Sequence, residues 1–439
     1  MSSASAFESD NPCLSDIVET RLPETQAPPP TTESAPQRQS SNGQFTNELE
    51  SEGQEPNPER GHYIPEFEPE YELLPEQKPL SPTATTLYTL SYLTFFSIFG
   101  TLARLGVQAL TFYPGSPVVT GLLWANVGGS LLMGFFLEDR NIFREEWGKP
   151  STNTNTNTNT NPNISEAEES KRHTSVKKTI PLYIGLTTGF CGSFTSFSSF
   201  IRDVFVALSN DLFSPDLSDT SPTSRNGGYS FMALVAVILI TVSLSLSALI
   251  AGSHLALALS RLPIPYTLPF RLTRRIIDPL FAILGLGSWL GTVFLAIFPP
   301  AGHKAWRDEA LFAIVFAPLG TLLRFYVSLW LNARIPSFPL GTFAVNIVGT
   351  IILAMCYDLQ RVEVGASVLV SCQVLQGVMD GFCGCATTVS TWVAELNGLK
   401  KRTDAYIYGV LSVGVALGFF VIITGSLRWT VGFIEPVCG

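Results

Sequence analysis

The chain has 439 residues, of which 46% are hydrophobic and only 14% charged, and its mean hydropathy is positive. That balance excludes an ordinary soluble protein. The formal charge of −9 is also uneven: the first eighty residues hold 16 acidic against 4 basic side chains, while the rest holds 20 against 23. The acidity therefore describes a tail, and no nucleic-acid partner is expected.

Residues 1–82 are rich in Pro, Glu, Ser and Gln without a sustained apolar period, which predicts a disordered acidic tail. The tail shows no charged start, apolar core and cleavage site, so no signal peptide is expected. Beyond it, nine segments are long and apolar enough to cross a bilayer: 85–112, 118–137, 180–209, 229–252, 279–299, 309–332, 339–357, 366–397 and 404–426. The predicted fold is an all-α membrane protein. A cytoplasmic N-terminus puts 15 Lys and Arg in the inside loops and 5 outside. That threefold excess predicts an external C-terminus. The loop at 138–179 contains "STNTNTNTNTNPN" and reads as a disordered insert. This topology leaves the sequon at Asn163 in the cytosol, unused. The seven scattered cysteines make no disulfide or metal framework.

The chain repeats itself. "FGTLARLGVQAL" (99–110) aligns with "LGTLLRFYVSLW" (319–330), and "WANVGGSLLMGF" (124–135) with "AVNIVGTIILAM" (344–355), both at an offset of 220. "GFCGSFTSFSSF" (189–200) aligns with "GFCGCATTVSTW" (381–392) at an offset of 192. The difference of 28 falls where the first half carries its insert. Each half has four spans, the third broken at GFCG. A single unmatched span between the halves turns the second over. The expected organisation is a first four-helix repeat at 83–260, a linker helix within 261–300, an inverted repeat at 301–430 and an external end at 431–439.

These glycine-plus-arginine, "VN" and GFCG…T(T/S)xS motifs resemble the CrcB or Fluc fluoride-channel family. The tandem arrangement is similar to its eukaryotic two-domain exporters (FEX) of the fungal type, over about 85–426. The resemblance implies a plasma-membrane channel for fluoride, self-sufficient as a monomer because one chain supplies both halves.

A fluoride pore must replace tightly held water with donors or positive field. Asn126 and Asn346 offer amide N–H groups at membrane depth, or they are interhelical glue. Phe197 and Phe200 offer ring edges to an anion, or they simply pack. In the family, phenylalanines at these two positions line the ion path. Arg104 and Arg324 lie inside apolar spans, where they either draw anions into a vestibule or snorkel. Ser243 and Ser247 resemble the family's hydroxyl track, although serine equally bonds its own helix. Thr342 precedes Asn346 where the first half has Leu122. The resemblance also implies a central structural sodium ion on the carbonyls of Gly192, Thr195, Gly384 and Thr387, an oxygen shell suited to a hard cation. Val389 and Trp392 stand where the first half has Phe197 and Phe200, so at most one pathway is expected to work.

The span carboxylates, Asp203, Asp278, Asp358, Asp380 and Glu395, lie near helix ends. No acid or histidine chain crosses the middle, and no phosphate-cradling loop or organic cofactor motif is present. A passive channel is the simpler reading, and not an enzyme. Its rivals are a small-metabolite or other anion transporter built on inverted repeats, and a membrane scaffold that uses GFCG only for packing and the acidic tail for partners.

Overall fold

The computed structural model describes residues 81–111, 113, 120–147, 176–212, 226–262, 266–298, 310–362 and 369–435, which are helical with no strand. Residues 1–80, the Asn-Thr run with its sequon at Asn163, and residues 436–439 lie outside that set. So do Arg225, Lys304 and Arg307.

In chain order the helices are α1 (Pro82–Thr111), α2 (Leu122–Glu138), α3 (181–194), α4 (Phe197–Ser209) and α5 (Gly227–Ser260). There follow α6 (Phe270–Ile297), α7 (Phe312–Leu331), α8 (Leu340–Leu359), α9 (369–386), α10 (Ser390–Gly398) and α11 (Arg402–Thr430). Local chemistry sets their ends. Pro82 opens α1, where its missing N–H is no loss. The Asn226 side chain accepts the Tyr229 N–H at 3.0 Å to cap α5. Asn210 closes α4 in the left-handed region, φ 68°.

Seven runs among the described residues are long and apolar enough to cross a membrane: α1, α5, α6, α7, α8, Leu369–Gly398 and α11. Two of the nine expected spans fall outside that count. α2 has 17 residues, about 25 Å of helix. The segment 181–209, interrupted at Thr195 and Ser196, is not counted, whereas Leu369–Gly398, interrupted in the same way after Ala386, is.

The insert is narrower than 138–179. Residues 144–147 form a 3₁₀ turn. The Lys177 ammonium donates to the carbonyls of Phe136 at 3.0 Å, Leu137 at 3.3 Å and Asp139, capping the C-terminal end of α2. Burial pulls its pKa down to about 8, against the opposing pull of the Asp139 and Glu138 carboxylates. The absence of any disulfide is likewise corrected at Cys372, which is disulfide-bonded.

The unmatched helix α6 is tied to both halves. Asp278 accepts the Tyr92 hydroxyl of α1 at 2.8 Å and pairs with Arg274 at 2.9 Å. Phe281 packs among Tyr92, Phe95 and Phe96. On the other side, the Trp289 indole donates to the Val315 carbonyl of α7 at 3.0 Å. The linker is thus a strut between α1 and α7.

Candidate functional site at two broken helices

α3 and α9 each contain a widened π turn, Gly185–Cys191 and Val378–Cys383, just before the break. Thr195 and Thr387 then leave the helix with nearly equal dihedrals, φ −99°, ψ 151° and φ −100°, ψ 151°. The chain resumes as α4 and α10. In that stretch the N–H of Ser196 goes to the Asn126 side-chain oxygen at 2.9 Å. Likewise the N–H of Thr388 goes to Asn346 at 2.9 Å. A continuous helix would have given those N–H groups to the Gly192 and Gly384 carbonyls. Each asparagine therefore holds its break open.

The two breaks touch. Thr387 Oγ1 accepts the Ser198 N–H at 3.0 Å, and Thr195 Oγ1 accepts the Ser390 N–H at 3.1 Å. Ser198 and Ser390 occupy corresponding positions, so the contact has the reciprocity of a two-fold interface. All four residues are buried.

Arg104 and Arg324 do not line a vestibule. Both are buried to within 2% of full enclosure, and each joins the two halves. Arg104 donates to the Ser193 carbonyl at 2.9 Å and to the Asp380 carbonyl across the interface. Arg324 donates to the Cys385 carbonyl at 2.8 Å and to the Thr188 carbonyl at 2.6 Å. The reason is electrostatic: a broken helix presents unpaired carbonyls and a negative dipole end, and a guanidinium satisfies both. A Cβ at Gly192 would fall inside the Arg324 guanidinium, and one at Gly384 inside that of Arg104. Glycine is required there by close approach. The Gly192 and Gly384 carbonyls, deprived of their helical donors, remain as hard oxygens from either half, and that donor type fits sodium.

Two grooves flank the crossing. In the first, α2 packs with α5 and α10; in the second, α8 packs with α11 and α4. Each groove thus combines helices of both halves. Asn126 belongs to the first. Asn346, Phe197 and Phe200 belong to the second, all fully buried. The Phe197 ring meets Phe200 edge-on at 5.8 Å and Trp392 at 5.3 Å.

Thr342 lies at one end of the second groove in a cluster that motif reading missed. Its hydroxyl donates to Glu395 at 2.6 Å, Tyr408 donates to the same carboxylate at 2.7 Å, and Asn332 at 3.2 Å. Extending the repeat alignment by three residues would have paired Glu395 with Asp203. Ser243 and Ser247 are exposed on the outer surface of α5, and Ser245 between them is buried. The expected hydroxyl track is therefore corrected: its residues sit on the lipid-facing side of the helix.

At the opposite end lies a cavity of about 580 Å³. Its walls include Arg202, Asp203 and Val206 of α4, Tyr357 of α8, and Arg361 and Phe433 beyond the helices. Arg361 stacks on Tyr357, 3.4 Å from the ring centre. Arg202 pairs with its neighbour Asp203 at 3.3 Å. Arg202 and Arg361, and not Arg104 or Arg324, line this cavity.

Residues 91–253 and 311–426 match the family model described as "CrcB-like protein, Camphor Resistance (CrcB)". Fluoride export protein 1 of Neurospora crassa is 57% identical over 375 residues, 83% of this chain and 71% of that protein. Fluoride export protein 1 of Candida albicans is 36% identical over 343 residues, covering 76% and 79%. The fluoride-specific ion channel FluC of Rhizobium leguminosarum is 35% identical over 113 residues, 25% of this chain but 87% of that protein. No solved structure matches.

Proposed function

This chain belongs to the CrcB family, and we infer that, like the relatives named for fluoride export, it is a fluoride channel that carries the anion out of the cell rather than an enzyme. Transport is passive. A cytoplasm held negative drives a monovalent anion outward by about 2.3 kcal/mol per 100 mV, so no coupled ion or nucleotide is needed.

The second groove is the conducting one. The observation that carries this choice is that α4, with Phe197 and Phe200, packs on the Asn346 helix; the outer ends of both helices line the cavity, which the start of α2 also borders. In this reading fluoride exchanges its water for the Asn346 amide, the Thr342, Thr350 and Ser412 hydroxyls, and the positive edges of the two phenyl rings. The three hydroxyls are occupied at present. Thr342 donates to Glu395, and Thr350 and Ser412 each donate to their own helix at 2.7 Å. Rotation about one bond frees each for a passing anion. Asn126 lies on the other side of the crossing and takes no part in conduction.

The topology is the nine-span inverted pair, with α2 and the broken 181–209 segment as the two spans missing from a count by length. Support comes from the helix ends. The ends of α1, α4 and α8 and the starts of α2 and α9 border the cavity. The end of α7, the starts of α8 and α11 and the final turn of α10 share the Glu395 cluster. The first set is external and the second cytoplasmic, with the N-terminus inside and the C-terminus outside at the plasma membrane. The FluC relative spans a single repeat's length, so two repeats in one chain make a self-sufficient monomer.

A structural sodium would be held by the carbonyls of Gly192, Thr195, Gly384 and Thr387, supplying cohesion between the halves. The two guanidinium groups already bring positive charge to this core. Expression in cells stripped of their own fluoride exporters tests the function: growth should be restored on fluoride and unchanged on chloride. Continued fluoride sensitivity with the protein present at the surface would overturn it.

A further inference from the structure

The chain carries seven cysteines. Four of them, Cys191, Cys356, Cys383 and Cys385, are buried free thiols. Cys372 is buried too, but it is disulfide-bonded. Within this chain its partner is therefore Cys13 or Cys438, both of which lie outside the described residues.

The described backbone leads toward the second of these. After α11 the chain turns back: Val431 and Gly432 both give their N–H to the Leu427 carbonyl, at 3.0 and 3.1 Å. Gly432 makes this turn in the left-handed region, φ 89°, where glycine carries no steric penalty. The Ile434 N–H then reaches the Arg361 carbonyl at 3.2 Å. Phe433 sits edge-on to Tyr357 at 5.7 Å, with the Arg361 and Arg428 guanidinium groups 5.7 and 5.4 Å from its ring. Arg428 in turn grips Asp211, just past α4, with two bonds of 2.8 and 2.9 Å. Residues 431–435 thus form a strap whose Phe433 is part of the cavity wall.

The strap ends beside Cys372. Gln360, next to Arg361, donates its amide N–H to the Cys372 carbonyl at 2.9 Å. Beyond Ile434, the four residues that lead to Cys438 reach up to about 14 Å. A disulfide needs Cα atoms about 5.5–6 Å apart, and that reach allows it. Cys13 meets different chemistry. It precedes α1, which starts on the cytoplasmic side in the topology proposed above, and cytosolic thiols are kept reduced. The cavity end of the bundle faces outward in the same topology, where disulfides form and persist.

We infer that Cys372 and Cys438 are joined by a disulfide that fastens the strap at the outer mouth of the conducting groove. The choice of Cys438 over Cys13 rests on the orientation proposed above. In forming the bond each thiol loses its proton and the pair gives up two electrons. A protein disulfide of the secretory lumen takes them by exchange and leaves as a dithiol. The mouth is then bordered by a covalent loop rather than by hydrogen bonds and ring contacts alone.

Peptide mapping of the purified full-length protein tests this, with free thiols alkylated in denaturant before cleavage. Cutting after Arg361 and Met379 leaves Cys372 as the sole cysteine of its peptide, and cutting after Arg428 does the same for Cys438. The two peptides should travel as one species and separate on reduction. Cys438→Ser should lose that species, open Cys372 to alkylation and keep wild-type fluoride efflux. On intact cells, a membrane-impermeant phosphine followed by an impermeant maleimide should label Cys438 of the wild type. A Cys372 peptide joined to that of Cys13, or alkylated without reduction, would overturn the pairing. Labelling that requires opened cells would overturn the orientation on which the pairing rests, while efflux reads the channel itself independently.

Discussion

The crossing of the broken helices and the grooves beside it come from the same duplicated segments, yet they have diverged very differently. At the crossing, Thr195 answers Thr387, Ser198 answers Ser390 and Arg104 answers Arg324, with matching partners and similar distances. In the grooves, Phe197 faces a valine counterpart, Phe200 a tryptophan, and Thr342 a leucine. A joint is used by both halves at once, so a change on either side breaks bonds on both. A pathway can be lost singly while its twin carries the ion. Symmetry survives where it bears structure.

The largest test of that contrast lies in the rings. Phe197→Ile or Phe200→Ile should lower fluoride efflux from reconstituted liposomes by at least about 100-fold, equal to about 2.7 kcal/mol of barrier. Val389→Ala should leave it within about two-fold. Equal losses at 197 and 389 would mean that both grooves conduct.

Next come the asparagines, which play the same structural part on both sides. Asn126→Leu and Asn346→Leu should each destabilise the fold by about 1–2 kcal/mol through loss of the N–H cap, read as a fall in melting temperature. Only Asn346→Leu should also abolish efflux, measured per folded protein.

Much of this was legible in the sequence. The repeat, the GFCG breaks and the apolar segments emerge from offsets and spacing, because glycine pairs and hydroxyl clusters inside an apolar run mark a place where the helix is interrupted or closely packed. The roles of Arg104 and Arg324 were misread for a physical reason. A lone arginine in a span implies either water or a counter-charge, and sequence does not reveal backbone carbonyls set free one helix away. Ser243 and Ser247 misled because α5 is apolar all round, so its periodicity names no inward face. Glu395 was passed over as a helix-end carboxylate, since its three donors come from Asn332, Thr342 and Tyr408, on separate parts of the chain.

The arginines supply the test of the joint. Arg104→Ala and Arg324→Ala should destabilise the protein by similar amounts, about 1–3 kcal/mol for each orphaned carbonyl. Lysine should rescue neither, because one ammonium cannot span two carbonyls as a planar fork does. Unequal losses would show that the joint is less symmetric than its bonds.

The smallest expected effect is at Lys177. Its pKa is lowered in the folded state to about 8 from the usual 10.5, so the folded form releases its proton first. Stability contributed by wild type relative to Lys177→Met should therefore rise as pH increases from about 8 to 10.5. Thermal melts of both proteins across that range check the sign.

The central claim is that one groove conducts fluoride passively. Purified protein in liposomes loaded with potassium fluoride, with efflux read by a fluoride electrode on adding valinomycin, tests it most directly. The account predicts rapid fluoride release in wild type, set by the potassium gradient, without a proton gradient, and lost in Phe197→Ile. Release that requires a proton gradient, or that persists in Phe197→Ile at the wild-type rate, would contradict it.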